Sequence, residues 1–173
     1  MLPTHRLSGA DVPWPEVRVR LDPLFVIEPF AGGAGELTSV LGSSTGAIGL
    51  ATGGELFILR PKDAAAIDRL QPRDRSPDWR ALDYAICDHA ILRHCLGLSE
   101  AEMKAGVVVW FTEDAAAAVK QVRDRQARYA VILKPVPVAR VLELADAGER
   151  MPQKSTFFYP KVPTGLVFNL LED

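Results

Sequence analysis

The sequence predicts an α+β domain: a mixed sheet with one β-hairpin and one β–α–β unit, and helices packed on it. Three stretches carry that reading. Two short apolar runs, 47–51 and 55–60, flank Thr52-Gly53-Gly54, the pattern of a tight hairpin. Next, 107–111 reads Val-Val-Val-Trp-Phe, 113–126 places Ala115, Ala118, Val119 and Val122 on one helical face, and 129–133 is again apolar. Strand, helix and strand at this spacing form a crossover unit whose two strands run parallel, adjacent or one strand apart. Third, 79–96 is apolar around most of a helical circumference, as in a buried helix.

The remaining elements follow in chain order. Pro15 suits the first turn of a short helix over 16–21. Leu24-Phe25-Val26-Ile27 is a β-prone run that Pro29 should end. Gly32-Gly33-Ala34-Gly35 reads as a loop before a short helix over 36–41, and 62–70 supports another. Asp78 is the candidate cap of the long helix and Gly97 its stop. Ser99 and Glu102 form a capping box. Thr112 is placed to cap the crossover helix. Pro135 and Pro137 lead into a helix over 138–147 that Gly148 closes, and 165–169 reads as a final strand. No internal repeat or linker divides the chain, so 1–173 is expected to be a single domain.

Composition narrows the function classes. Hydrophobic residues make up 48% and charged residues 24%, as in an ordinary globular chain. A net charge of −2 lacks the basic footprint of a nucleic-acid binder, and no apolar run reaches the roughly 20 residues of a membrane span. Neither nucleic acid nor a membrane is therefore an expected partner. Cys87 and Cys95 lie about 12 Å apart on the predicted helix, at 1.5 Å rise per residue. That is too far for a disulfide, and reduced thiols make the cytoplasm the expected location.

The densest chemistry lies in 151–165, Met-Pro-Gln-Lys-Ser-Thr-Phe-Phe-Tyr-Pro-Lys-Val-Pro-Thr-Gly. Prolines 160 and 163 bar a helix, and the segment has no amphipathic period, so it reads as an ordered loop. It is not a Walker phosphate loop. Gln153 replaces the glycine that lets backbone wrap a phosphate, Pro152 removes a donor, and the segment follows a helix rather than opening one. An anion could still be held by side chains: Lys154 and Lys161 supply charge, and Ser155, Thr156, Tyr159 and Thr164 supply hydroxyls. The competing reading is a packed crossover with a core aromatic, satisfied hydroxyls and solvated lysines. His5-Arg6 is a second candidate anion contact. His89, His94, Cys87 and Cys95 lack the spacing of a closed metal site, and no metal or cofactor is expected. Lys120, Arg123, Arg125 and Arg128 read as a solvated helix face.

Three stretches carry a resemblance: Leu2-Pro3-Thr4-His5-Arg6-Leu7, the 82–98 helix ending Leu96-Gly97-Leu98, and above all 146–161 around Met151-Pro152-Gln153-Lys154-Ser155-Thr156. Together they resemble the C-terminal half of the domain-of-unknown-function family 1015. Where members of that family carry His-Glu, this chain reads Asp88-His89, so no family role carries over to His89. The resemblance implies that the chain is the C-terminal part of a longer protein. The other half would be a nucleotide-binding domain of the ParB/sulfiredoxin type, related to free-serine kinases. A Gly-His-His-Arg segment that precedes Pro-Thr-His-Arg-Leu in the family is absent from this sequence. On this view the chain alone is inactive. It contributes contacts to a phosphate- or carboxylate-bearing small molecule through Lys154, Ser155, Thr156, Tyr159, Lys161, His5 and Arg6, with the nucleotide-binding half as its partner. The alternative is a non-catalytic structural or regulatory interaction domain.

Overall fold

The computed structural model describes residues 1–160. Six strands form one sheet: β1 (His5–Ser8), β2 (Phe25–Phe30), β3 (Ile48–Thr52), β4 (Glu55–Pro61), β5 (Val109–Thr112) and β6 (Tyr129–Ile132). Their order is β2-β4-β3-β6-β1-β5, and every neighbouring pair is antiparallel. The fold is α+β. β1 lies between β5 and β6 and is antiparallel to both, so β5 and β6 run parallel one strand apart. The crossover helix α7 (Ala115–Arg123) packs across all three.

The hairpin forms at the predicted place. Thr52 pairs with Glu55, and Gly53 and Gly54 have φ of 58° and 88°. Two consecutive positive φ values are what a two-residue turn needs to follow the twist of its strands, and glycine adopts them without a Cβ clash.

Both faces of the sheet are covered. Leu7, Ala51, Leu56, Ile58, Ala130 and Ile132 meet α2 (Ala34–Ser43) and α7 through Leu37, Leu41, Ala118 and Val122. Leu50, Phe57, Leu59, Tyr129 and Val131 face the opposite layer. That layer holds α1 (Trp14–Leu21), α3 (Ala64–Arg69), α4 (Pro77–Arg80), α5 (Asp83–Ile86) and a π-helical segment, Cys87–Cys95. α6 (Glu100–Ala105) and α8 (Val138–Asp146) complete the chain's helices up to residue 160. Burial on both faces explains why the strands read as continuous apolar runs.

Several boundaries differ from the sequence reading. β2 runs through Pro29 to Phe30, because β2 is an edge strand and a missing donor is tolerated there. α2 begins at Ala34, with the Glu36 carboxylate accepting from the Gly33 N–H. The long helix over 79–96 is three pieces. Its cap is Ser76, whose Oγ accepts from the Trp79 N–H 3.1 Å away, with Pro77 in the first turn; Asp78 instead pairs with Arg140. The chain extends at Leu82, then continues through α5 into the π-helical segment. Gly97, at φ 71°, does close it. Asp114, not Thr112, caps α7, accepting from the Ala116 and Ala117 N–H groups. Val107 lies outside β5 and is exposed. The strand expected over 165–169 lies outside the described residues, as do Lys161 and Thr164. Ser99 and Glu102 make the predicted capping box of α6. No helix among the described residues is long and apolar enough to cross a membrane. Cys87 and Cys95 are free and buried.

Gly49 fixes how closely α2 can approach the sheet. A Cβ there would sit 3.0 Å from Ile132 Cβ, 3.0 Å from Leu37 Cδ2 and 3.2 Å from Leu41 Cδ1. Gly49→Ala should therefore cost about 1–3 kcal/mol through overpacking. Urea denaturation checks this; an unchanged midpoint would mean that α2 backs away freely.

Candidate functional site

Alternation along β1 sends Arg6 and Ser8 to one face of the sheet and His5 and Leu7 to the other. Arg6 lies opposite Phe111 of β5 and Val131 of β6, and its side chain has no exposed surface. A guanidinium so placed needs a counter-charge and acceptors for its fork of N–H donors. Asp88 supplies the charge, with its Oδ1 3.2 Å from Nε. Three backbone carbonyls accept the rest: Thr4 at 2.8 Å and Lys154 at 3.1 Å from Nη1, and Gln153 at 2.9 Å from Nη2. The Tyr84 ring lies 4.6 Å from Cζ and the Phe111 ring 5.5 Å, so aromatic surface covers the cation. The Tyr84 hydroxyl accepts from the Thr4 N–H. Burial raises the Asp88 carboxyl above its usual range, and the Arg6 charge opposes that shift.

Those two loop carbonyls come from one tight turn. The Ser155 N–H donates to the Pro152 carbonyl at 3.3 Å, and the buried Ser155 hydroxyl donates to it at 2.6 Å. Lys154 adopts φ 54°, which helps turn its carbonyl inward while its side chain stays exposed. The flanks are fastened as well. The Glu149 carboxylate accepts from the Ser76 N–H and hydroxyl, and the Arg150 carbonyl accepts from Trp79 Nε1 at 2.8 Å. The Phe157 carbonyl accepts from the Leu2 N–H at 2.9 Å. Arg6, Lys154 and Ser155 are thus brought together, but through Arg6 donors on loop backbone. Thr156 is half-buried beside them, and Tyr159 is 72% exposed.

The surface expected to combine His5 with Arg6 and Lys154 is not formed by their side chains. His5 is buried on the opposite face, where its Nδ1 accepts from the Leu133 N–H at 3.2 Å. Burial first, and the Arg6 charge second, lower its pKa to about 4, with Asp114 pulling the other way. It is a neutral structural imidazole at pH 7. Arg6, with no exposed surface, offers no free face to a ligand.

What the turn does expose is a cleft. Gln153 borders a cavity of about 390 Å³ with Arg75, Trp79, Asp88, His89 and Lys104. Arg75 lies over the Trp79 ring at 5.5 Å, and Trp79 meets the His89 ring edge-on at 6.0 Å. Lys104 pairs with Glu100, which lowers the Glu100 carboxyl. No ion pair or hydrogen bond engages the Lys154 ammonium among the described residues. Burial pushes the Cys87 thiol up and the Cys95 thiol to about 12, so both are protonated at neutral pH and poor nucleophiles. Among the described residues no group of three or more His, Cys, Asp and Glu is arranged to hold a metal ion.

Sequence reasoning missed Tyr84, Asp88, Trp79 and Glu149 as parts of this site. The available signal was Arg6 itself: an arginine within an otherwise buried strand requires a counter-charge from elsewhere in the chain. No family model, curated protein or solved structure matches this chain.

Two measurements check these assignments. Arg6→Ala leaves Asp88 as an unpaired, largely buried charge and should cost about 3–5 kcal/mol. It should also speed tryptic cleavage after Lys154; a lower melting temperature without faster cleavage would show that Arg6 does not restrain the turn. His5 makes stability depend on pH. Its folded pKa lies below the unfolded 6.5, so the folded state binds fewer protons between about 6.5 and 4. The His5 contribution is full above pH 6.5 and is lost as pH falls toward 4, roughly 3 kcal/mol in all. His5→Asn keeps an acceptor for Leu133 and should flatten that slope in denaturation midpoints taken against pH.

Proposed function

We propose that this chain is a ligand-contact domain. Its Pro152–Ser155 turn and the cleft beside Gln153 take a phosphate- or carboxylate-bearing small molecule, within a larger ParB-like, kinase-related protein whose nucleotide-binding half supplies any phosphoryl chemistry. One observation supports this most. The turn is held by Arg6 through backbone carbonyls, leaving the Lys154 ammonium unpaired among the described residues and directed to solvent. A charge presented on a fixed backbone loses little conformational freedom when a ligand arrives. Arg75 and Lys104 line the neighbouring cleft, each paired with a carboxylate of its wall, Asp74 and Glu100, and Trp79 adds an aromatic face.

The chain's own groups would bind and orient rather than transfer. Pro152 has no N–H and the Ser155 N–H is taken by the Pro152 carbonyl, so the turn offers fewer amides than a phosphate cradle uses. The second reading, a non-catalytic structural or regulatory interaction domain, is supported by the buried Ser155 hydroxyl satisfied at the Pro152 carbonyl and the solvated Lys154, as in a packed crossover, and by Phe158 and Tyr159. They are 55% and 72% exposed on the segment pinned to Leu2, as a protein-docking surface would need.

Titration calorimetry with phosphate, phosphoserine and nucleotides separates the readings. A charge-assisted bond is worth about 1.5–3 kcal/mol, so Lys154→Ala should weaken binding of the preferred anion about tenfold or more. Because the lysine is exposed and unpaired, the melting temperature should barely move. Undiminished anion binding by Lys154→Ala would reject the ligand-contact assignment and leave the docking surface as the better account.

A further inference from the structure

A second pocket adjoins the Gln153 cleft, sharing Pro72, His89 and Arg93 with it, but includes neither Gln153 nor Lys154. It has a volume of about 410 Å³ and is lined chiefly by Gln71, His89, Arg93, His94 and Leu98. Three features make it unusual.

The first is an unsatisfied amide. Gln71 is 4% exposed and lines the pocket, yet neither its Nε2 nor its Oε1 has a hydrogen-bond partner among the described residues. A buried amide left this way is destabilising, and most buried polar side chains are paired. The residue sits just past α3, where its own N–H donates to the Asp68 carbonyl, so its backbone is fixed while its side chain is not.

The second is the helix winding. In an α-helix, residues five apart do not stack, so His89 and His94 would diverge. The segment Cys87–Cys95 is π-helical, with hydrogen bonds running from i to i+5, and residues five apart then lie one turn above another. His89 and His94, with Arg93 between them, consequently line one pocket. The third is an available cation. Arg93 has no carboxylate within ion-pair distance among the described residues; its Nη1 lies 3.5 Å from His89 Nδ1. A guanidinium beside that nitrogen disfavours a metal there. It favours a planar anion that the guanidinium can grip with two donors.

We propose that this pocket binds a small organic carboxylate carrying an amide, with the carboxylate on Arg93 and His94 and the amide paired to the Gln71 side chain as it turns into the filled pocket. Gln71 offers one donor group and one acceptor, the complement of a ligand amide. Burial, and Arg93 after it, lower the His89 pKa, so the imidazole is neutral and available for hydrogen bonding. Leu98 gives the pocket an apolar wall.

N-acetylglycine carries both groups and serves as the probe. The full chain, labelled with 15N, is titrated while the histidine ring and Gln71 side-chain signals are followed. Saturable shifts at His89, His94 and Gln71 are expected, with inorganic phosphate binding more weakly. Gln71→Leu and His94→Ala should each weaken binding about fivefold or more, as loss of a hydrogen-bond partner implies. Lys154→Ala should leave it unchanged. Gln71→Leu also removes an orphaned buried amide, so its melting temperature should hold or rise, which keeps the variant interpretable. The proposal is overturned by the absence of saturation, or by Gln71→Leu binding as well as the parent chain. Phosphate binding as tight as N-acetylglycine, or a response lost in Lys154→Ala, would overturn it equally.

Discussion

An arginine side chain with no exposed surface constrains everything around it. Moving a guanidinium out of water costs several kcal/mol, which Asp88 alone does not offset. The Thr4, Gln153 and Lys154 carbonyls complete its polar shell, and Tyr84 and Phe111 cover it. The partners come from several distant parts of the chain, so the set can form only when β1, β5, α5, the π-helical segment and the 152–155 turn are all in place. Such a centre adds little net stability compared with an apolar substitute, but its half-formed versions are costly. Its effect is to fix one chain path: the turn closes over the sheet where Arg6 can reach it.

The position of β1 follows from the same constraint. The first strand lies between the last two strands of the described residues, β6 and β5, and carries adjacent residues into opposite layers. Arg6 enters the helical layer with Asp88. His5, one residue earlier, enters the layer with α7, where burial and the nearby arginine keep it neutral. Two side chains that look like one cationic pair in the sequence are one neutral imidazole and one guanidinium cation, with separate duties. Strand alternation separates them, and only charge coupling through the sheet still connects them.

Features set by local physics were legible before the fold was known. The Gly53-Gly54 turn needs positive φ twice, Ser99 and Glu102 satisfy each other's orphan donors, and the 107–133 stretch dictates a crossover. The helix start at Ser76-Pro77 was legible too, but Asp78 obscured it. Features set by distant partners were not legible. Nothing near Arg6 in sequence indicates that its donors serve Gln153 and Lys154, and nothing near 107–133 indicates that β1 slots between its strands. The 151–160 loop stood out as dense in chemistry. Its inward face proved to be backbone, which composition does not report.

The π-helical segment shows how a packing demand can set surface chemistry. Wide winding has poorer hydrogen-bond geometry than the α-helix and persists only where its surroundings support it. Here Cys87, Ala90, Ile91 and Cys95 bury one side completely, against a layer that includes α1. The far end is closed by satisfied groups. Arg20 donates to the Cys95 carbonyl at 3.0 Å, the Leu96 N–H reaches the Ile91 carbonyl, and Gly97 in the left-handed region lets the Leu98 N–H reach the Leu92 carbonyl. With the apolar side and both ends held, the polar side has no freedom to choose its grouping. Asp88 is directed to Arg6, while His89, Arg93 and His94 gather on the Gln71 side. Asp88 and His89 both border the Gln153 cleft, but only His89 also reaches the Gln71 pocket, and the spacing of the histidines, uninformative on an α-helical wheel, becomes meaningful once the winding is known.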